Sequence, residues 1–194
     1  MTFDIILAGV GGQGVLSLAN IIASAGLADR LHVKQSEVHG MSQRGGAVLA
    51  HLRLADQPIE SDLIPLGGAS MVLAMDPLES LRSLEYLSPS GTVITATEPI
   101  TNMRAYPPID DVIAAIRKLP HAVLVDASGL AKKAGLAQAT NCVLAGAAAP
   151  LLPIRTGLIE HGIRTRFERK GAKVVEQNLA AFRAGQEVTS CATH

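Results

Sequence analysis

The chain has 194 residues, a formal net charge of zero, 48% apolar and 18% charged residues, and only 3% aromatic residues. This is the composition of a globular chain with a sizeable core, without the basic excess and stacking rings of a nucleic-acid binder. No run of about 18 apolar residues marks a membrane span; the longest candidate, residues 142–154, is broken by Gly146, Pro150 and Pro153. The N-terminus carries no basic segment and no cleavage pattern, so no signal peptide is expected. Two cysteines, Cys142 and Cys191, suit a reducing cytoplasm and fall short of the four thiolates of an iron–sulfur cluster. The histidines show no metal-ligand spacing, and no metal site is expected.

Residues 3–8 form an apolar run that reads as a buried strand. Gly9-Val-Gly-Gly-Gln-Gly14 follows, and residues 15–27 carry apolar positions at helical spacing. Residues 31–34 read as a short strand and residues 35–46 as a polar loop of a kind that often carries function. Residues 47–54 alternate as a strand, with a return strand expected through Ile59. Residues 71–75 read as a buried strand, and Asp76-Pro77 as a helix start, with a cap acceptor and then proline at the first helical position; that helix is expected to reach about Tyr86. A turn is expected over residues 88–91, a strand over 92–97, a helix over 110–118, a strand over 122–126 and a helix over 128–134. Residues 141–152, 154–162 and 172–184 read as further helices. Strands separated by helices predict an α/β fold: a three-layer, Rossmann-like domain with a mostly parallel sheet and an antiparallel edge pair. A single domain is expected over residues 1–185, with a flexible C-terminal tail over residues 186–194.

Gly9, Gly11 and Gly14 match G-x-G-x-x-G between a strand and a helix, where glycines allow a tight turn and the helix N-terminus can receive an anion. A dinucleotide site also needs an acidic residue about 20 positions on. Lys34 and Gln35 stand there instead, and Glu37 comes late. Three readings stay open for the loop: a dinucleotide, close packing of the first helix, or contact with a partner chain or its ligand.

Residues 36–46, Ser-Glu-Val-His-Gly-Met-Ser-Gln-Arg-Gly-Gly, concentrate polar and glycine residues. Glu37 and His39 are candidates for acid–base work, and Arg44 for holding a carboxylate or phosphate. The competing reading is that Glu37 and Arg44 only pair and pin the loop. Ser36, Gly40, Met41, Ser42, Gln43, Gly45 and Gly46, with Gly9, Gly11, Gly12, Gln13 and Gly14, form the candidate cofactor-binding or interface set. The basic residues Arg155, Arg164, Arg166, Arg169, Lys170 and Lys173 form either a solvated face or a contact for an anionic partner.

Together the two loops resemble the gamma-type domain of the 2-oxoacid:ferredoxin oxidoreductase family. Asn141 leading into an Ala/Gly-rich helix agrees, as do Glu176-Gln-Asn178 and Ala181-Phe182-Arg-Ala-Gly185. The resemblance implies a subunit, inactive alone, that completes the active centre for coenzyme A-dependent oxidative decarboxylation, with an aryl pyruvate favoured by likeness to the indolepyruvate group. It implies a large (alpha) subunit as partner, carrying thiamine diphosphate, Mg and the iron–sulfur clusters. Ferredoxin would be reached through the complex, with the 2-oxoacid and coenzyme A as substrates and no tightly bound cofactor on this chain. The alternative is a self-sufficient NAD(P)-binding oxidoreductase built on the glycine loop.

Overall fold

The computed structural model describes residues 1–39, 45–101 and 106–192. In chain order the elements are β1 (Thr2–Val10), α1 (Val15–Ala28), β2 (His32–His39), β3 (Ala47–Ala55), β4 (Ala69–Ala74), α2 (Pro77–Arg82), β5 (Leu87–Ala96), α3 (Ile109–Arg117), β6 (Ala122–Val125), α4 (Ala127–Lys133), α5 (Thr140–Ala148), α6 (Thr156–Phe167) and α7 (Ala172–Ala192). The strands form one sheet in the order β2-β3-β1-β4-β5-β6. β1, β4, β5 and β6 are parallel neighbours, whereas β3 runs antiparallel to both β1 and β2. The sheet is therefore mixed, mostly parallel, and its antiparallel edge pair is the β2–β3 hairpin.

β1 is central because its run Ile5, Ile6, Leu7 can be buried on both faces. Ile5 and Leu7 point into the larger core with α1, α4, α5, α6 and α7. Ile6 joins Val72 and Val93 in a smaller core on the opposite face, where α2 packs on β1, β4 and β5 and against α3. Helices on both faces of one sheet make the three layers. The large core includes Phe182, Leu18, Ile22 and Leu52, all fully buried, and such side chains contribute about 1.5–3 kcal/mol each.

Four local expectations differ from the structure. β2 runs on to His39, so Ser36 and Glu37 are strand residues: both lie in the antiparallel ladder with β3, Ser36 opposite His51 and Glu37 opposite Ala50. No return strand forms after β3. Residues 56–68 instead cross the face of the hairpin, held by Lys34 Nζ to Glu60 O (2.7 Å) and Arg53 Nη1 to Ser61 O (3.1 Å) and Leu63 O (3.2 Å). Ser88–Gly91 is no separate turn but part of β5, because the register slips between Ala69 and Met71 and absorbs the extra residues. Residues 186–192, expected in a tail, continue α7: Thr189 is buried and its Oγ1 donates to Ala147 O at 2.7 Å.

α5 and α7 approach at backbone contact. A Cβ on Gly146 would run into the Phe182 carbonyl, and one on Gly185 into the Val143 carbonyl. Gly146→Ala should lower unfolding free energy by about 1–3 kcal/mol through overpacking, read by urea denaturation.

His51 is buried on β3, accepts the Ile64 N–H at Nδ1 (3.1 Å) and meets the Tyr86 ring edge-on. Burial pushes its pKa down, opposed by the Asp62 charge and aided by Arg53. The folded state thus favours neutral imidazole. The contribution is full above the unfolded value of about 6.5 and is lost as pH falls through the lowered folded pKa. Unfolding free energy measured between pH 7.5 and 5 should fall toward acid, and His51→Gln should flatten that slope.

Candidate functional site at the glycine loop

β1 ends at Val10 and the chain turns back at once into α1. Gln13 fastens this turn: its Oε1 accepts the Val10 N–H at 2.7 Å, and its Nε2 donates to Met75 O at 2.8 Å, just beyond β4. One side chain therefore ties the ends of two neighbouring parallel strands. Gly9 must lack a Cβ, which would lie 2.8 Å from Val15 Cγ2 and 2.9 Å from Gln13 Oε1. Gly14 caps α1 at φ 89°, in the left-handed region, and its carbonyl accepts from Asn141 Nδ2 at 3.1 Å.

The structure joins the ends of the two sequence motifs. Gly11 N–H donates to Gly46 O at 2.8 Å and Gly45 N–H donates to Gly11 O at 3.3 Å. Register explains the meeting, since Val10 pairs with Ala47 and Gly9 with Val48. His39 also pairs with Val48, so the end of β2 stands level with Gly9, one strand removed. Ser36 and Glu37 lie further back along β2, where Glu37 accepts from Gln35 Nε2 at 3.2 Å. The side chain of His39, and Gly40, Met41, Ser42, Gln43 and Arg44, lie outside the described residues.

Two hollows flank Gln13. A groove of about 200 Å³ is bounded by the glycine loop, the first turn of α1 and Val48. The other, about 220 Å³, lies beyond the strand ends among Met75, Glu98, Ser128 and Thr140. α1 has no side-chain cap, so its first-turn N–H groups favour an anion in the groove. Asp76 beyond β4 is fully engaged: it accepts from Leu78 N–H, Glu79 N–H, Ile100 N–H and Tyr106 Oη. Burial, then the nearby Asp76 charge, push Tyr106 up to about 12.

This geometry departs from a dinucleotide fold. The strand following α1 is separated from β1 by the reversed β3, so its end does not border the glycine loop as ribose recognition requires. Lys34 is turned instead to Glu60 O. Among the described residues no group of three or more His, Cys, Asp and Glu could hold a metal ion. Cys142 is buried and Cys191 exposed, and two cysteines do not fit a four-thiolate cluster. No helix among the described residues is long and apolar enough to cross a membrane. Residue order identifies Asp76 as the cap of α2, which it is, but not its further bonds to Ile100 N–H and Tyr106 Oη, nor the bonds that Gln13 and Asn141 make. Asn141 stood out before its helix, but its partner Gly14 is 127 positions away.

Gln13→Ala leaves the Val10 N–H and the Met75 carbonyl without their partner. It should cost about 1–3 kcal/mol of stability, read by chemical denaturation, with faster hydrogen exchange at Val10.

A family model described as "Pyruvate ferredoxin/flavodoxin oxidoreductase" matches residues 4–188. The indolepyruvate oxidoreductase subunit IorB of Archaeoglobus fulgidus is 38% identical over 192 residues, covering 95% of this chain and 94% of that protein. The keto/oxoacid ferredoxin oxidoreductase gamma subunit of Geobacter sulfurreducens superposes with a TM-score of 0.75 at 24% identity, over 99% of this chain and 98% of that one. The 2-oxoglutarate:ferredoxin oxidoreductase of Magnetococcus marinus, solved with 2-oxoglutarate, coenzyme A and succinyl-CoA bound, gives a TM-score of 0.79 at 20% identity, over 98% of this chain and 31% of that longer chain. With the family model spanning nearly its whole length and a relative of equal extent, this chain belongs to the pyruvate ferredoxin/flavodoxin oxidoreductase family.

Proposed function

We propose that this chain is the small subunit of a 2-oxoacid:ferredoxin oxidoreductase acting on an aryl pyruvate such as indolepyruvate. The observation that carries the reading is the glycine junction: Gly11 bonded to Gly45 and Gly46, which sets the start of α1 beside the start of β3. The likeness to an indolepyruvate oxidoreductase subunit over 94% of its length supports the substrate class.

In the assembled enzyme the 2-oxoacid loses carbon dioxide, the acyl group is joined to the coenzyme A sulfur, and two electrons pass to ferredoxin as one proton is released. Thiamine diphosphate with Mg, and iron–sulfur clusters, supply the decarboxylation and electron-transfer chemistry and belong to the large subunit. This chain's part is to shape and enclose. The glycine loop brings backbone close to the partner without side-chain bulk. Residues 36–46 lie at the subunit interface, with Arg44 holding an anionic group there and Glu37 and His39 as candidate proton carriers. The segment starts from β2 and returns at Gly45–Gly46, so its return end is tied to the glycine loop. The complex works in the cytoplasm.

Co-expression with a candidate large subunit tests the reading. The purified complex should reduce a viologen dye in a coenzyme A-dependent way, with the highest kcat/KM for aryl pyruvates, while this chain alone is inactive. Arg44→Ala should lower kcat/KM by about tenfold or more, the scale of one charged hydrogen bond, with folding and co-purification retained. Unchanged kinetics would remove Arg44 from the active centre. Micromolar binding of NADPH to the isolated chain, seen by calorimetry, would overturn the subunit reading in favour of a self-sufficient NAD(P) enzyme.

A further inference from the structure

A separate cavity of about 500 Å³ opens between α1, α5, α6 and α7. That volume falls within the range of small-molecule sites. Its apolar walls come from Ile21, Leu136, Phe167 and Val174. On the floor, Cys142 Sγ donates to Asn178 Oδ1 at 3.1 Å and Asn178 Nδ2 donates to Val174 O at 2.8 Å, so these polar groups are already engaged. Burial pushes the Cys142 thiol up to about 12, against the opposing field of Arg166, so the floor offers no thiolate.

Charge at the mouth is one-sided. No Asp or Glu lines the cavity, while Arg166 and Lys170 stand at its rim. Nearby cations are neutralised: Arg155 by Asp29, Arg164 by Glu176 and Arg183 by Glu160. Arg166 instead donates to a neutral hydroxyl, Ser17 Oγ, at 2.9 Å, and Lys170 Nζ sits 5.5 Å from the Phe167 ring centroid. Neither makes an ion pair with a described residue. Two exposed cations left unneutralised beside an acid-free cavity, whose lining combines apolar walls with the neutral side chains of Ser17, Gln138, Asn141 and Asn178, form an electrostatic trap for an anion with an apolar body.

We propose that this cavity is a binding site for a small organic anion with an aryl-sized apolar body, its carboxylate or phosphate head held between Arg166 and Lys170. The fit is non-covalent: ring against Phe167, Leu136 and Ile21, head at the rim. Asn141 lines the cavity and also holds Gly14 O, so the occupant would touch the residue that anchors the start of α1. The site does not depend on the subunit role, because the free chain contains all of it.

Titration of the full-length chain with phenylacetate, phenyl phosphate and inorganic phosphate, followed by calorimetry and by amide NMR shifts, tests the proposal. Saturable millimolar or tighter binding of at least one aryl anion is expected, with shifts at Ser17, Asn141 and Asn178. Comparing phenylacetate with phenyl phosphate tells which head group is preferred. Inorganic phosphate should bind more weakly, and benzyl alcohol more weakly still. Arg166→Gln and Lys170→Gln should each weaken aryl-anion binding about fivefold or more, and Lys173→Gln, outside the cavity, should not. Retained amide dispersion in the variants separates lost binding from lost folding. No saturable binding by any aryl anion would overturn the site, as would equal binding of benzyl alcohol or unchanged affinity in the Arg166/Lys170 double variant. If the free chain binds none of them and the double variant fails to co-purify with the large subunit, the cations serve the partner and the proposal fails.

Discussion

The antiparallel register of β3 against β1 is the constraint on which the site depends. Nine consecutive pairs, from Thr2 with Ala55 to Val10 with Ala47, fix the end of one strand beside the start of the other. The pleat leaves no freedom to slide: a slip of one residue would turn Leu52 and Leu54 out of the core and His51 and Arg53 into it. Arg53 adds a polar lock to the apolar one. Its guanidinium holds the nearly buried Asp4 carboxylate through two bonds of 2.9 Å, and losing either partner would strand the other's charge. Once this register is set, Gly46 stands opposite Gly11 and accepts its N–H.

The reversal of β3 also decides what the glycine loop can do. In an all-parallel nucleotide fold, the strand after the first helix lies beside β1 and brings its acidic end to the ligand. Here a strand of opposite direction takes that place. Gln13 then links β1 to β4 across the strand ends, where open α/β sheets usually receive a ligand. The same glycine pattern therefore serves a different task, the close fitting of one backbone turn to another.

Much of this was legible in residue order. The apolar run of β1, the glycines before α1, the Asp76-Pro77 start of α2 and the small residues of α5 each follow from local chemistry, and each formed where expected. The misjudged segments are those whose state is set across the sheet. Ser36 and Glu37 look like loop residues by polarity, yet pairing with β3 makes them strand. Residues 55–59 look like a turn and the beginning of a return strand, yet Lys34, Arg53 and His51 hold the segment that follows β3 across the face instead. The end of α7 is polar by composition, yet the Thr189 bond to Ala147 and the packing of Val188 on the core hold it helical. At the site, the glycines were visible as a pattern; the bonds that use them join positions far apart in sequence, which spacing alone does not reveal.

The contact of α5 with α7 has a consequence for how such a chain can change over time. Each helix presents a glycine to the other's carbonyl, so neither can gain even a methyl group while its neighbour stays in place. Replacement at either position becomes tolerable only if the two helices first move apart, and that separation would open voids around Phe182 of α7, which is fully buried in the same core. The two glycines and the phenylalanine therefore form one inherited unit. Variation on this side of the molecule should be confined to the outer faces of α6 and α7, with the seam beneath them held fixed.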